Sequence, residues 1–402
     1  MSILRDITIR SQKYLDSEEI LLFIGARQAG KTTVLKQIME RLKNQKAKSY
    51  FLNLEDPEYL DLLNKNPKNL FKILPLDLKK RNFVFIDEIQ YLSTPSNFLK
   101  YIFDEHKQNI KLIVSGSSAF YIDKKFRDSL AGRKKIFHVF TVSFSEFLRF
   151  KKEDELSKKN FYEISLEEKN KIGLFYREYL VFGGYPKVVL SPLDEKEEVL
   201  KEIAYSYIKK DIYEAHVRQD KVFYKLFKIL ANQAGNLVNS SEIANTLGVS
   251  KTAIDNYLYI MQKSFHINLI KPFFGNFRKE LTKMPKVFFL DTGLRNFFAG
   301  SFDPLETRKD KGMLLENAVF RQLLEKYNHE DIKFWRTISH NEVDFVINGK
   351  LAFEVKADVQ KLKTKNYRVF LDRYPDIKFT LVSFEPNIDS INSYPVIDVR
   401  SV

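Results

Sequence analysis

A chain of 402 residues, 44% hydrophobic, 29% charged and 14% aromatic, carries apolar material for roughly two or three packed domains rather than one. It has no cysteine, which excludes disulfides, thiolate zinc sites and zinc fingers. No stretch approaches the roughly 18 apolar residues of a membrane span, the opening MSILRDITIRSQKYLDSEE lacks a signal-peptide core, and 66 Lys+Arg against 52 Asp+Glu leave a net charge of +14. These point to a cytoplasmic protein with no membrane role and with polyanionic partners.

The first informative stretch is LLFIGARQAGKTTVLKQIMERL: a short apolar strand, a glycine-rich turn, then a helix with Val34, Ile38 and Leu42 on one stripe. Gly25-Ala26-Arg27-Gln28-Ala29-Gly30-Lys31-Thr32 fits G-x-x-x-x-G-K-[ST] at every fixed position. In such a loop, backbone N–H groups and the helix N-terminus, Thr33 included, wrap the phosphates of ATP. Lys31 reaches the terminal phosphates as a catalytic cation, and the Thr32 hydroxyl ligates Mg2+. The partner acid is expected where RNFVFIDEIQ ends a buried strand, Phe83 to Ile86. Asp87 would hold the magnesium and Glu88 would orient the attacking water. Ser49 to Leu54 and Lys111 to Ser118 supply further strands of an alternating β/α pattern. The polar tip Ser115-Gly116-Ser117-Ser118 reads equally as a γ-phosphate sensor, with Ser117 the contact, or as an ordinary strand-end turn.

IDEIQ, IVSGSS and SLAGRKKIFHVFTVSFSEFLRF, Ser129 to Phe150, resemble the prokaryotic AAA-type ATPases that carry a C-terminal domain of unknown function. That resemblance implies a homo-oligomer and offers Arg133 as a phosphate contact, in cis or from a neighbouring subunit. The alternative for Arg133 is a surface arginine clustered with Lys134 and Lys135.

Charge-rich KKEDELSKKN, Lys151 to Asn160, reads as a linker or solvated helix and sets a first boundary. Domains are expected over residues 1–150, 151–305 and 306–402. The Gly183-Gly184-Tyr185-Pro186 motif matches the same family. Asn239 to Ile270 reads as a helix-turn-helix. Ser240 or Ser241 caps the first helix, Gly248 allows the turn, Ser250 caps the second, and Ile254, Leu258 and Met261 form its buried stripe. The strands NLIKPFF and KVFFLD suggest a winged form. If it reads DNA, Lys251, Thr252, Asp255 and Asn256 face the groove.

The last third runs helix (Leu315, Val319 and Leu323 on one side, Glu316 beside them), strand, hairpin EVDFVINGKLAFEVKA, helix Leu362 to Arg373, and strand Ile377 to Ser383. A two-residue turn at Asn348-Gly349 would mix apolar and polar faces. A three-residue turn that includes Lys350 pairs Ile347 with Leu351 and sets Asp344 opposite Glu354. The element order and Asp344…Glu354-x-Lys356 resemble the PD-(D/E)XK nucleases. The resemblance implies Glu316, Asp344 and Glu354 as ligands of Mg2+ or Mn2+, with Lys356 activating water. The competing reading pairs these acids with lysines.

The expected fold is therefore α/β: a P-loop NTPase parallel sheet, a mostly helical, winged-helix middle domain, and a C-terminal α/β PD-(D/E)XK-like domain. The expected function is ATP binding and hydrolysis by a protein acting on nucleic acid, DNA in particular, with metal-dependent cleavage at the C-terminal site. The alternative is a nucleotide-dependent switch that binds protein or DNA, with a catalytically silent nuclease-like scaffold.

Overall fold

A computed structural model of the protein describes residues 3–117, 130–215, 217, 219–274, 280, 283–359, 365–385, 388–391 and 394–402. Ser118, Ser129 and Leu362 lie outside them. The chain is α/β overall and divides into two compact units, one of Met1–Val142 with Lys263–Phe265, the other of Ser143–Gln262 with His266–Val402.

The first unit is built on five parallel strands: β1 (Ile20–Ile24), β2 (Lys48–Asn53), β3 (Asn82–Asp87), β4 (Ile110–Gly116) and β5 (Lys134–His138). Their order is β2-β3-β4-β1-β5. Every residue of β1, β3 and β4 is buried, as the continuous apolar runs require of strands covered on both faces. Leu21, Phe23, Phe85 and Ile113 face helix α1 (Lys31–Asn44) through Val34, Leu35 and Ile38. Leu22, Ile86 and Val114 pack on the other side against Phe98, Leu99 and Ile102 of α2 (Pro95–His106). Each such side chain contributes about 1.5–3 kcal/mol on burial. Strand β5 escapes a pattern search because, at the sheet edge, it is largely exposed and opens with two lysines. The consequential feature is the position of β4: it separates β1 from β3, so the carboxyl ends of all three strands meet.

The second unit begins with helices, among them α3 (Leu166–Phe182), α4 (Lys196–Glu214) and α5 (Asp220–Asn232). Ser165 and Glu168 form a capping box at the start of α3. Helices α6 (Ser240–Leu247) and α7 (Lys251–Lys263) follow, with Gly248 left-handed at the turn (φ 67°). The cap of α6 is Asn239 rather than Ser240 or Ser241: its side chain reaches the N–H groups of Ser241 and Glu242. Ser250 accepts from Ala253 N–H at 3.1 Å, and Ile254, Leu258 and Met261 are buried as expected. An antiparallel pair, β6 (Ile267–Ile270) and β7 (Lys286–Phe289), leads to α8 (Thr292–Ala299). Asp291 caps α8 through Leu294 N–H and also accepts from Gly184 N–H, so the GGYP motif braces this helix.

Helix α9 (Lys311–Lys326) opens the C-terminal region, followed by β8 (Ile332–Arg336), β9 (Glu342–Ile347), β10 (Leu351–Lys356), α10 (Lys365–Arg373) and β11 (Lys378–Ser383). Strands β12 (Ser390–Ile391) and β13 (Tyr394–Asp398) complete a six-stranded mixed sheet, ordered β12-β13-β11-β10-β9-β8. The hairpin pairs Ile347 with Leu351 and Phe345 with Phe353, the register that burial favours. Asn348 and Gly349 take positive φ at its turn. Both faces of the hairpin are covered: Phe345 meets Phe320 of α9, and Val346 and Ala352 pack beneath Phe370 of α10. No helix among the described residues is long and apolar enough to cross a membrane.

Candidate functional site

At the carboxyl end of β1 the chain turns through Gly25–Gly30 into α1. The turn is tight: a Cβ on Gly25 would lie 2.0 Å from the Val139 carbonyl oxygen. Gln28 (φ 53°) and Gly30 (φ 98°) carry the loop through left-handed conformations. Arg5, itself buried, donates to the Ala29 carbonyl at 2.7 Å and so holds the loop from behind. Ala26, Arg27 and Ala29 are buried, and Thr33 is exposed in the first helical turn. No side chain caps α1 at Gly30 and no acid stands in its first turn, so its N-terminal dipole end suits an anion. Lys31 is buried and donates to the carbonyls of Gly25 (3.1 Å) and Ala26 (2.9 Å).

The carboxyl end of β3 meets this loop. Thr32 Oγ1 donates to Asp87 Oδ2 at 2.6 Å, joining residues 55 positions apart. From β4 between them, Ser115 Oγ donates to Asp87 Oδ1 and accepts the Glu88 N–H at 3.2 Å. Glu88 takes a left-handed backbone (φ 57°), which turns its side chain off the strand end. Gln90 Nε2 bonds Glu88 Oε2 and donates to Ser117 Oγ at 2.8 Å. Hydroxyl and carboxylate oxygens at one point are the hard donors that magnesium takes, so Thr32 and Asp87 could hold it beside a phosphate.

Arg133 stands elsewhere. Its carbonyl accepts from Ile20 N–H, at the amino end of β1, and its guanidinium pairs with Asp104 at 2.8 Å. The length of β1, about 3.3 Å per residue, separates it from the loop of its own chain. The cis contact is therefore corrected: Arg133 is a half-exposed partner of α2.

In the second unit the hairpin register brings Asp344 and Glu354 together. Asp344 N–H donates to Glu354 Oε2 at 3.2 Å, and Asp344 Oδ2 accepts from Val355 N–H at 2.9 Å. Glu354 Oε1 accepts from Tyr367 at 2.9 Å and lies 2.6 Å from Lys356 Nζ. Glu316 and Asp344 are met by Lys286, at 2.9 and 3.6 Å. Burial and Asp344 push the carboxyls of Glu316 and Glu354 up to about 8. Burial opposes the Lys286 ammonium, but Glu316, Asp344 and Glu342 outweigh it and hold it charged, above the ordinary lysine range. Among the described residues, no group of three or more His, Asp or Glu is disposed to hold a metal ion. On α7, Lys251, Thr252, Asp255 and Asn256 are exposed, with Lys251 3.3 Å from Asp255.

Three family models match the chain: an AAA domain over residues 17–148, a domain of unknown function (DUF8612) over 174–305, and a domain of unknown function (DUF4143) over 311–399. An uncharacterized protein of Methanocaldococcus jannaschii is 30% identical over 354 residues, covering 86% of this chain and 75% of that one. The chain belongs to that protein's family. An uncharacterized protein of Haemophilus influenzae is 27% identical over 409 residues, 96% of this chain and 95% of the other. Among solved structures, the Aeropyrum pernix ORC2 protein in its ADP form is similar at 13% identity and TM-score 0.37, covering 67% of this chain and 87% of that one.

Within the AAA domain, sequence reading missed Ser115 as the link between Asp87 and Glu88, because only the strand order puts β4 between β1 and β3. Gln90 carried a faint signal, an amide two residues beyond Glu88. Arg5 carried none. In the DUF8612 segment the missed residue is Lys286, and its signal was a lysine heading a strand, KVFF, that is buried throughout.

Proposed function

We propose that this protein hydrolyses ATP in its AAA domain and uses the nucleotide cycle to switch its binding of nucleic acid, duplex DNA in particular. The observation that carries the reading is the connected set Thr32–Asp87–Ser115–Glu88, closed over the Gly25–Thr32 loop. Bound magnesium would neutralise charge on the phosphates. Thr32 and Asp87 would hold it, and the Lys31 ammonium would exchange its carbonyl partners for phosphate oxygens. Glu88, oriented by Gln90 and by the Ser115 contact to its N–H, would position the attacking water. A homo-oligomer is proposed from the resemblance to AAA-type ATPases, with Arg133 as the candidate phosphate contact from a neighbouring subunit. The modules would be residues 1–150, 151–305 with a winged helix-turn-helix, and 306–402 with a nuclease-like sheet. Exposed Lys251, Thr252 and Asn256 of α7, together with the net charge of +14, support the nucleic-acid partner.

The test is ATP turnover and duplex-DNA anisotropy at two salt concentrations, with and without ATP. Glu88→Gln is expected to lose about 10²–10⁴-fold in turnover while retaining ATP and an ATP-dependent, salt-sensitive DNA affinity. Unchanged turnover would remove Glu88 from this role. DNA affinity indifferent to ATP would remove the switch.

A further inference from the structure

The acids that resemble a nuclease's metal ligands already hold a cation, and it belongs to the chain. Lys286 heads β7, and its side chain is only 1% exposed. Its Nζ lies 2.5 Å from Glu342 Oε1, 2.9 Å from Glu316 Oε1 and 3.6 Å from Asp344 Oδ1. Other oxygens of the group are also taken. Val355 N–H bonds Asp344, Tyr367 and Lys356 bond Glu354, and Arg336 bonds the second oxygen of Glu342 at 2.8 Å. Glu316 Oε2 faces Gly235, where a Cβ would come within 2.8 Å.

The register of β7 aims the lysine there. Two residues on, and hence on the same side of the strand, Phe288 stacks on Phe320 at 4.7 Å and meets Phe345 at 5.4 Å. Asn317, the neighbour of Glu316 on α9, pairs with both backbone groups of Phe289, accepting at 2.8 Å and donating at 2.9 Å. Strand β7 is thus held against α9 at Lys286, Phe288 and Phe289, which keeps the lysine's backbone beside the acids.

A divalent cation needs carboxylate oxygens at roughly 2.0–2.6 Å and the room for its waters. The Lys286 ammonium, bonded to Glu316 and Glu342 and 3.6 Å from Asp344, and the Lys356 ammonium on Glu354 stand in that place, and their charge repels a further cation. The residues therefore do not fit a metal centre. We propose that Lys286 is the resident cation of this cluster: the acids take no divalent metal, the C-terminal sheet does not cleave nucleic acid by metal-ion chemistry, and the lysine–carboxylate contacts fasten β7 to that sheet.

The test is Mn2+ binding to the full chain, read as loss of the free-Mn2+ electron paramagnetic resonance signal without nucleotide. Asp87→Asn is carried throughout to silence the nucleotide-site acid. The chain with Lys286 is expected to bind no Mn2+ at the cluster. Lys286→Met is expected to gain about tenfold or more in Mn2+ affinity, as one neighbouring positive charge is removed, and to lose it again when Asp344→Asn is added. Stoichiometric Mn2+ on the chain with Lys286, abolished by Asp344→Asn, would overturn the proposal. So would a folded Lys286→Met chain that melts with its parent and binds no Mn2+. Lys286→Arg, which keeps the charge, should bind none, and the parent titration decides the question even if Lys286→Met does not fold.

Discussion

Two buried lysines, Lys31 in the first unit and Lys286 in the second, show how surroundings decide what a charge is for. Lys31 donates to two carbonyl oxygens of its own loop, neutral dipoles that hold an ammonium until something more negative arrives. Lys286 lies among three carboxylates within 3.6 Å. Its charge is met inside the fold by Glu316, Glu342 and Asp344, with no anion from solution. Burying an ion is costly unless it is paired. At the Gly25–Thr32 loop, under the proposed function, that cost keeps a site ready for an anion. At the C-terminal cluster it has been offset by the chain itself, and the lysine has become a fastening.

The two lysines should therefore fail differently. Lys286→Met leaves buried carboxylates uncompensated and is expected to cost the second unit about 3–5 kcal/mol, read from urea unfolding. Loss of stability below about 1 kcal/mol would mean that the cluster is not a fastening. Lys31→Met should shift stability by no more than about 1 kcal/mol yet lower ATP turnover roughly 10²–10³-fold. A large drop in melting temperature for that variant would erase the contrast.

The second unit holds another internally paired charge, and its pH response sharpens the point. Asp310 sits against Arg308, bidentate at 2.9 Å, and against Arg295. Burial opposes its ionisation, but the two guanidinium groups win and lower its pKa from 3.8 to about 2. A depressed folded-state pKa stabilises above the unfolded value and is lost as pH falls through the folded one. The stability difference between the parent and Asp310→Asn is thus expected to be full above pH ~4 and to shrink by roughly 2 kcal/mol toward pH ~2. A difference independent of pH would show that packing, not charge, sets it. The smallest effect concerns Tyr367, whose hydroxyl bonds Glu354 at 2.9 Å. Tyr367→Phe should cost about 1–1.5 kcal/mol, and a neutral result would show that Lys356 and the Asp344 N–H suffice for that carboxylate.

Much of this was legible in the sequence where the physics is local. The glycine spacing of the P-loop, the apolar run before Asp87, and the left-handed turn at Gly248 follow from backbone sterics and short periodicities. The hairpin register followed too, because a slip by one residue would have turned an apolar face outward. The acids were expected to pair with lysines on an open sheet face or to hold a metal. They do pair with lysines, Lys356 among them, but the face is buried, and a second lysine, Lys286, comes from another element. Strands β5 and β12 stayed hidden because short, exposed edge strands carry little alternation.

The sequence by itself determined which groups could bind phosphate and which residues could face one another across a turn, since those relations span a few residues of backbone geometry. Only the tertiary structure decided that Ser115 joins Asp87 to Glu88, that Arg133 stands at the far end of its strand, and that Lys286 sits among acids 30 to 58 positions away. The physical reason is that charge compensation acts through space. A buried carboxylate is answered by whichever donor packing brings within about 3 Å, and strand order, not sequence distance, chooses that donor.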